Sequence, residues 1–322
     1  MRKTIVSLLP ELCTAAVILL MVAASDALHE REILFPEIAA LATGYLLAPG
    51  RTWRVSSGRM LLFIAAGALT GLVIVVLVPL PLWQQFVLAF AVSQLLCIFS
   101  GTTLAPMISA IVLPVVLQTR SLIYPVSAAI LTTLIVLLRL VLERVRLRPQ
   151  EPFTPSPAPR LSIKDPSLPT GRSALTDALL RILLIALVSY PVIRLGRILV
   201  LAPPLLVAFT EFTNPLAGAR KKPAKTVLFL TLCGTEGALI RLILYETLGV
   251  PLPAAAAAAT VLFLLLVRSF HLYLPPAGAA VLLAFLIPSQ QLASYPLQIL
   301  TGSSILMGLA LLIFRKALVK PC

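Results

Sequence analysis

The chain has 322 residues, of which 59% are hydrophobic and 12% are charged, and its formal net charge is +14. A soluble domain carries about 25% charged residues, so this composition, with a mean hydropathy of +1.03, excludes a soluble globular enzyme and an intrinsically disordered chain. Four cysteines are too few for a disulfide scaffold. The class that remains is an all-α, polytopic helical membrane protein.

Apolar runs predict six membrane segments before a polar gap. A spanning helix needs about 20 mainly apolar residues, and suitable runs occur at Thr4–Ala24, Ile33–Ala48, Met60–Leu80, Leu82–Ser100, Thr102–Leu117 and Leu122–Leu142. The first run is similar to a secretory signal, but Glu11 interrupts it, and we expect an uncleaved first helix. The fifth run is short enough to be re-entrant.

A stretch rich in Pro, Ser and Arg predicts a hydrated cytoplasmic linker over residues 144–177, between two membrane units at 1–143 and 178–322. The second unit again has six segments, of which the eleventh is short enough to be re-entrant: Ile182–Ile193, Leu199–Leu216, Thr226–Leu248, Leu252–Phe270, Leu274–Ile287 and Ala293–Phe314. The 27 prolines predict further short or broken segments. Non-helical backbone at membrane depth is tolerated only where protein or a wet cavity satisfies it.

The distribution of Lys and Arg predicts the orientation. A cytoplasmic N-terminus places 20 of the 26 basic residues inside, against four outside and two within segments. Both termini are then cytoplasmic, in a bacterial inner membrane. The positive charge is explained by topology and by contacts to anionic lipid headgroups. The sequence contains no basic stripe interleaved with aromatic residues, so we do not expect nucleic-acid binding.

The two units read as copies of each other. Residues 35–54 align with 203–222 at an offset of 168, and Pro106 aligns with Pro276 at an offset of 170. A Tyr-Pro pair at 124–125 aligns with another at 295–296, at an offset of 171. Six segments per copy predict two parallel pseudo-repeats related by an axis along the membrane normal. Transporters built in this way bind substrate between the halves.

The run "HLYLPPAGAAVLLAFLIP" at 271–288 resembles the signature of the HPP family of integral membrane proteins, in which His-Pro-Pro-Ala-Gly-Ala opens a late span. The chain resembles two such units in tandem. It departs from the family at Leu274, which stands where the family has His, and at Ala105 and Pro106, which replace the Pro pair in the first copy. The resemblance implies membrane transport, with members associated with nitrite movement.

Pro275, Pro276 and Gly278 predict a helix start that another backbone or a ligand can approach closely. If this helix begins inside the membrane, its N-terminal N–H groups favour an anion. The alternative is a tightly packed helix start without a ligand. The first copy offers similar groups in Thr102, Thr103 and Pro106.

Charged residues inside membrane segments are costly and usually face a cavity or a partner, and the candidates here are Glu37, Glu211, Glu236, Arg241 and Glu246. Arg241 is the best single candidate for attracting an anion, and the alternative is an ion pair with Glu211 or Glu246. Glu211 is predicted to face the lumen of a transport path. Glu37 either complements the dipole of its helix or has a function. His271 is either a proton sensor or a solvated interfacial residue.

No P-loop, Gly-x-Ser-x-Gly motif or cluster of metal ligands occurs in the sequence, and we expect neither an enzyme nor a bound cofactor or metal. The leading hypothesis is a transporter or channel for a small inorganic anion such as nitrite. Its expected partners are the lipid bilayer and the anion, and a homo-oligomer is compatible with the sequence. The alternative is a membrane scaffold or subunit that packs partner proteins or lipid.

Overall fold

The computed structural model describes residues 2–48, 50, 52–145, 174–215 and 217–314. Most of the predicted linker at 144–177, and the basic residues from 315 onward, lie outside these described residues. The described part is helical and contains no strand, which confirms an all-α polytopic protein. Within the predicted linker range, a helix begins at Ala174.

Eight helices of the described part are long and apolar enough to cross a membrane. At about 1.5 Å of rise per residue, their lengths match a hydrocarbon core of about 30 Å. They are α1 (Arg2–Leu28), α3 (Ser57–Leu77), α4 (Leu82–Ser100), α6 (Ile123–Arg144), α7 (Ala174–Arg194), α9 (Pro223–Ile240, continued as a π-helix over Arg241–Thr247), α10 (Leu252–Phe270) and α12 (Tyr295–Ile313).

Besides single helical turns such as Ser289–Leu292, four shorter helices lie in the described bundle and are too short to cross on their own. They are α2 (Glu37–Ala42, continued as a π-helix over Thr43–Leu47), α5 (Pro106–Leu117), α8 (Pro203–Thr213) and α11 (Pro275–Leu283). Short fifth and eleventh segments were expected from the sequence. The second and eighth are also short, because the apolar runs that predict them include residues that lie before a helix-starting proline and adopt a separate short turn.

Contacts at the helix ends fix the directions of two of the short helices, α2 and α5. We call the side of the bundle on which α1 begins and α12 ends the terminal face, and the other side the opposite face. Arg139, near the end of α6, donates to the Tyr45 carbonyl at the end of α2 at 2.9 Å, so α2 ends near the terminal face. Gln118, after α5, donates to Gln85 near the start of α4 at 3.0 Å, so α5 ends near the opposite face.

The two halves of the described bundle repeat the same contacts. The Tyr124 hydroxyl donates to the Ala110 carbonyl at 3.0 Å, and the Tyr295 hydroxyl donates to the Ala280 carbonyl at 2.7 Å. These pairs are related by the offsets of 170 and 171 found in the sequence. The same backbone path is therefore built twice, with α5 and α11 held to the start of the following span.

The short helices lie at the centre, where the halves meet. Helix α2 of the first half packs against α11 of the second, and α8 of the second packs against α5 of the first. At the periphery, α1 packs against α10 and α4 against α7. Each half thus contacts the other through equivalent helices, as expected for a pseudo-two-fold arrangement.

Close backbone approach in both halves depends on glycine. A Cβ atom on Gly71 of α3 would overlap the Ile111 carbonyl oxygen of α5, and one on Gly237 of α9 would overlap the Val281 carbonyl oxygen of α11. At these two positions a long helix can therefore approach a short one this closely only because a side chain is missing.

Replacing Gly71 by alanine should lower the free energy of unfolding by about 1–3 kcal/mol, because the added methyl group forces α3 and α5 apart. Gly308→Ala in α12 is the matched control, since a Cβ atom there meets nothing within 4 Å. That control should be neutral or stabilising by up to about 1 kcal/mol. Thermal unfolding of both variants in detergent measures the difference, and equal melting temperatures would contradict the packing.

Candidate functional site

The four central helices begin at proline. Pro106, Pro203 and Pro275 are the first residues of α5, α8 and α11, and Pro36 immediately precedes α2. All four prolines are buried. Proline has no N–H to leave unsatisfied and its φ suits the first turn of a helix. The helix start predicted at Pro275 and Pro276 is therefore confirmed.

Arginines satisfy the carbonyl groups at the ends of three central helices. Arg139 caps α2 through Tyr45, and Arg220 donates to the Phe212 carbonyl of α8 at 2.6 Å. The π-helical Arg241 donates to two carbonyls just past α11, those of Ala284 at 2.7 Å and Ile287 at 2.6 Å. Partial burial lowers the pKa of Arg220, but a guanidinium stays charged in proteins.

A cation at a helix C-terminus is stabilised both by the free carbonyl oxygens and by the helix dipole. The fourth short helix, α5, ends differently, with the Gln118 amide donating to the Val115 carbonyl at 2.9 Å. Every one of these helix ends therefore has a polar side chain in place of water. The chain can therefore end a helix within the bundle without leaving its last carbonyls bare.

Arg241 forms an ion pair in addition to capping the end of α11. Its guanidinium lies 3.0 Å from a Glu246 carboxyl oxygen and 3.2 Å from the Ser289 hydroxyl. Glu246 is thus the partner of Arg241, and Glu211 is not. Glu211 lies at the terminal end of α8, where it accepts a hydrogen bond of 3.1 Å from the indole N–H of Trp53. Glu211 and Arg241 do not line one crevice, because they lie towards different faces.

Threonines 102 and 103 organise the loop that leads to Pro106. The Thr102 hydroxyl is buried and lies 2.9 Å from the Ser100 hydroxyl. The Thr103 hydroxyl accepts a hydrogen bond of 2.8 Å from the backbone N–H of Arg54. Both hydroxyls are thus used within the terminal face. The Thr103 contact joins the chain before α5 to the loop before α3, and the Thr102 contact holds it to the end of α4.

The second predicted helix start is closely packed. Pro275, Pro276 and Gly278 are buried, and a Cβ atom on Gly278 would lie 3.2 Å from both the Cβ and the carbonyl oxygen of Ala39 in α2. This contact matches the alternative of a packed helix start. His271 lies apart from it, exposed, in a left-handed conformation (φ 47°) that ends α10.

A pocket of about 280 Å³ opens at the opposite face, between the ends of α1, α9 and α11 and the start of α10. Its polar lining groups are Ser25, Asp26, His29, Arg31, Arg241 and Tyr245. Arg241 is the only predicted site residue among them. Arg31 was not among the predicted site residues. It lies 210 positions from Arg241, and nothing in the sequence connects the two.

A second polar group that the predicted site omitted is the pair formed by Glu37 and Ser109. Glu37 of α2 is 1% exposed, and its carboxylate accepts a hydrogen bond from the Ser109 hydroxyl of α5. The sequence marked Glu37 as costly to bury, but nothing local identifies a partner 72 residues away. Among the described residues, no three His, Cys, Asp or Glu side chains are close enough together to hold a metal ion.

Neither a protein family, nor a curated protein, nor a solved structure matches the chain. The resemblance to the HPP family thus depends on the residues quoted for it and stays a prediction.

Arg241→Ala should lower the free energy of unfolding by about 3 kcal/mol, because it leaves buried carbonyls and Glu246 without their cation. Arg268→Ala is the control: Arg268 pairs with Glu11 at 2.6 Å, but its side chain is 52% exposed, and an exposed pair contributes at most about 1 kcal/mol. Thermal unfolding in detergent compares them. A wild-type melting temperature for Arg241→Ala would show that the cap is not structural.

Proposed function

We propose that this multi-pass membrane protein moves a small inorganic anion, of the nitrite class, across the membrane. The observation that carries the proposal is the central group of four helices that are too short to cross and that pack against one another where the two halves meet. Interrupted helices at the interface of two repeats are the usual location of a transporter's substrate site. A protein with no substrate has little need for helices that are too short to cross, since the backbone groups at their ends require dedicated partners.

The pocket at the opposite face supports an anion as the substrate. Arg31 is exposed and Arg241 is fixed by its carbonyl contacts, and both line the pocket. Glu246 offsets the charge of Arg241, and Asp26 also lines the pocket. Arg31 is therefore the cation we assign to the incoming anion. The resemblance to the HPP family supports the same class of substrate.

We further propose that the terminal face is cytoplasmic, so that both termini lie inside and the pocket opens outside. The excess of Lys and Arg predicted for that side supports this orientation. In a bacterium, the membrane concerned would be the cytoplasmic membrane.

The second candidate, a scaffold that packs partners or lipid, is favoured by one observation. Every residue of α11 is buried, and Gly278 leaves no space between α11 and α2. A closely packed centre of this kind suits a scaffold, whereas a transporter must open its centre during the transport cycle. Flux through the purified protein separates the two candidates.

Arg31→Ala should raise the half-saturating nitrite concentration in proteoliposomes about tenfold, because the variant loses one charge-assisted contact to the anion. Its melting temperature should not change, since Arg31 is exposed. Arg197→Ala is the matched control, because Arg197 is an exposed arginine at the same face outside the pocket lining. The absence of nitrite movement by the wild-type protein would instead support the scaffold.

The proposed orientation predicts which residues an impermeant maleimide reaches in intact cells. In a background with serine in place of the four cysteines, Arg31→Cys should be labelled from outside. Lys221→Cys should be labelled only after the cells are opened, since Lys221 lies at the terminal face. The reverse pattern would place both termini outside.

A further inference from the structure

The centre of the bundle contains a carboxyl group whose second oxygen has no partner. Glu37 is 1% exposed, and one of its carboxyl oxygens accepts a hydrogen bond from Ser109. The other, Oε2, is buried and makes no hydrogen bond to any described residue. No Lys or Arg of the described chain forms an ion pair with it.

Glu37 and Ser109 lie near the middle of the membrane. Ser109 lies on α5 between Met107 and Ile111. The side chains of these two residues approach Gly67 of α3, at 3.3 and 3.2 Å from a Cβ atom placed there. Gly67 is the central residue of the 21-residue span α3. The carboxyl group is therefore about 15 Å from either surface of the hydrocarbon core, where an ionisable residue is by default a functional group.

The helices packed against α2 offer no charge to balance Glu37. Neither α5 nor α11 carries an ionisable side chain. On α6, Arg139 and Glu143 pair with each other at 2.7 Å beside Tyr45, about 12 Å of helix away from Glu37. The nearest titratable group of α6 is Tyr124, whose hydroxyl donates elsewhere, to Ala110.

On α1, Glu11 is paired with Arg268, and Cys13 is an uncharged thiol. Asp26, near the end of the same helix, lines the pocket at the opposite face. An ionised carboxylate surrounded in this way is costly, and a proton is the smallest partner that removes the cost.

The pocket and Glu37 lie on one short stretch of chain. Arg31 and Leu34 line the pocket, and Phe35 packs edge-on against Tyr124, with ring centroids 5.7 Å apart. Glu37 follows two residues later, at the start of α2. A rearrangement of residues 31–36 on anion binding would therefore be transmitted directly to the position of Glu37.

We propose that Glu37 is the proton-binding group of the cycle, so that the anion moves together with a proton. A proton from the aqueous side bonds to Oε2 and converts the carboxylate to a neutral carboxyl group, while the other oxygen keeps its bond from Ser109. Release to the other side restores the carboxylate, and no bond other than O–H forms or breaks. The coupling rests on the proposed anion transport, whereas proton binding by Glu37 does not.

The coupling is tested by nitrite uptake into proteoliposomes that contain a pH-sensitive dye, with protein-free liposomes as background. External acid should accelerate wild-type uptake and acidify the lumen. Glu37→Gln, which is permanently neutral, should lose both effects but keep downhill nitrite exchange. Glu236→Gln is the matched control. Glu236 is a second buried carboxyl group, but neither of its oxygens accepts a hydrogen bond from a described residue, so nothing comparable to Ser109 stabilises its ionised form, and the variant should keep both effects. Acid-driven uptake that survives in Glu37→Gln, or is lost equally in both variants, would overturn the assignment.

Proton binding is tested separately on the unmodified chain with dicyclohexylcarbodiimide, which attacks protonated carboxyl groups in apolar surroundings. Peptide mapping should find Glu37 modified at acidic pH and progressively less as the pH rises. No modification at any pH, or modification independent of pH, would overturn the proposal even if Glu37→Gln does not fold. If the wild type moves no anion but Glu37 is still modified in this way, only the transport proposal fails.

Discussion

The structure depends on one constraint: a helix that ends inside a membrane must find partners for its last carbonyl groups within the protein. Water is absent there, and each bare group costs several kcal/mol. The chain starts its four short helices at proline and ends three of them with arginine, donated by Arg139, Arg220 and Arg241. These caps account for charged residues that a soluble protein would leave at its surface, and they allow four helices too short to cross to lie at the centre of the bundle.

The same constraint separates charged residues that hold the structure together from those that are available for a role in transport. Arg241 is held by carbonyls and by Glu246, so its first role is to end α11. Arg31 and Glu37 are not used in this way, and they lie six residues apart. By the repeat alignment, the positions equivalent to Glu37 and Ser109 are Leu205 and Ala279. The two halves therefore share a backbone but not a polar centre, and the proposed coupling group belongs to the first half alone.

Periodicity and composition were sufficient for the all-α class, the approximate segments and the repeat, because each depends on residues close in the sequence. They were not sufficient for the site. Arg139 lies 94 residues from the carbonyl it caps, and Arg241 lies 43 residues from its own. Apolar runs also hid the shortness of α2 and α8, since residues before Pro36 and Pro203 are as apolar as those after them. Arg241 and Glu211 were reasonable candidates, but only the packing shows that they lie towards different faces.

The central claim is that the four short helices form a centre that opens during transport and is not a permanently packed core. Hydrogen–deuterium exchange of the full chain in lipid nanodiscs, with and without nitrite, tests it most directly. The account predicts measurable exchange in the first turns of α2, α5 and α11, changed by nitrite, while the middle of spans such as α3 and α12 stays protected. Protection of the short helices equal to that of the long spans, unchanged by nitrite, would contradict it.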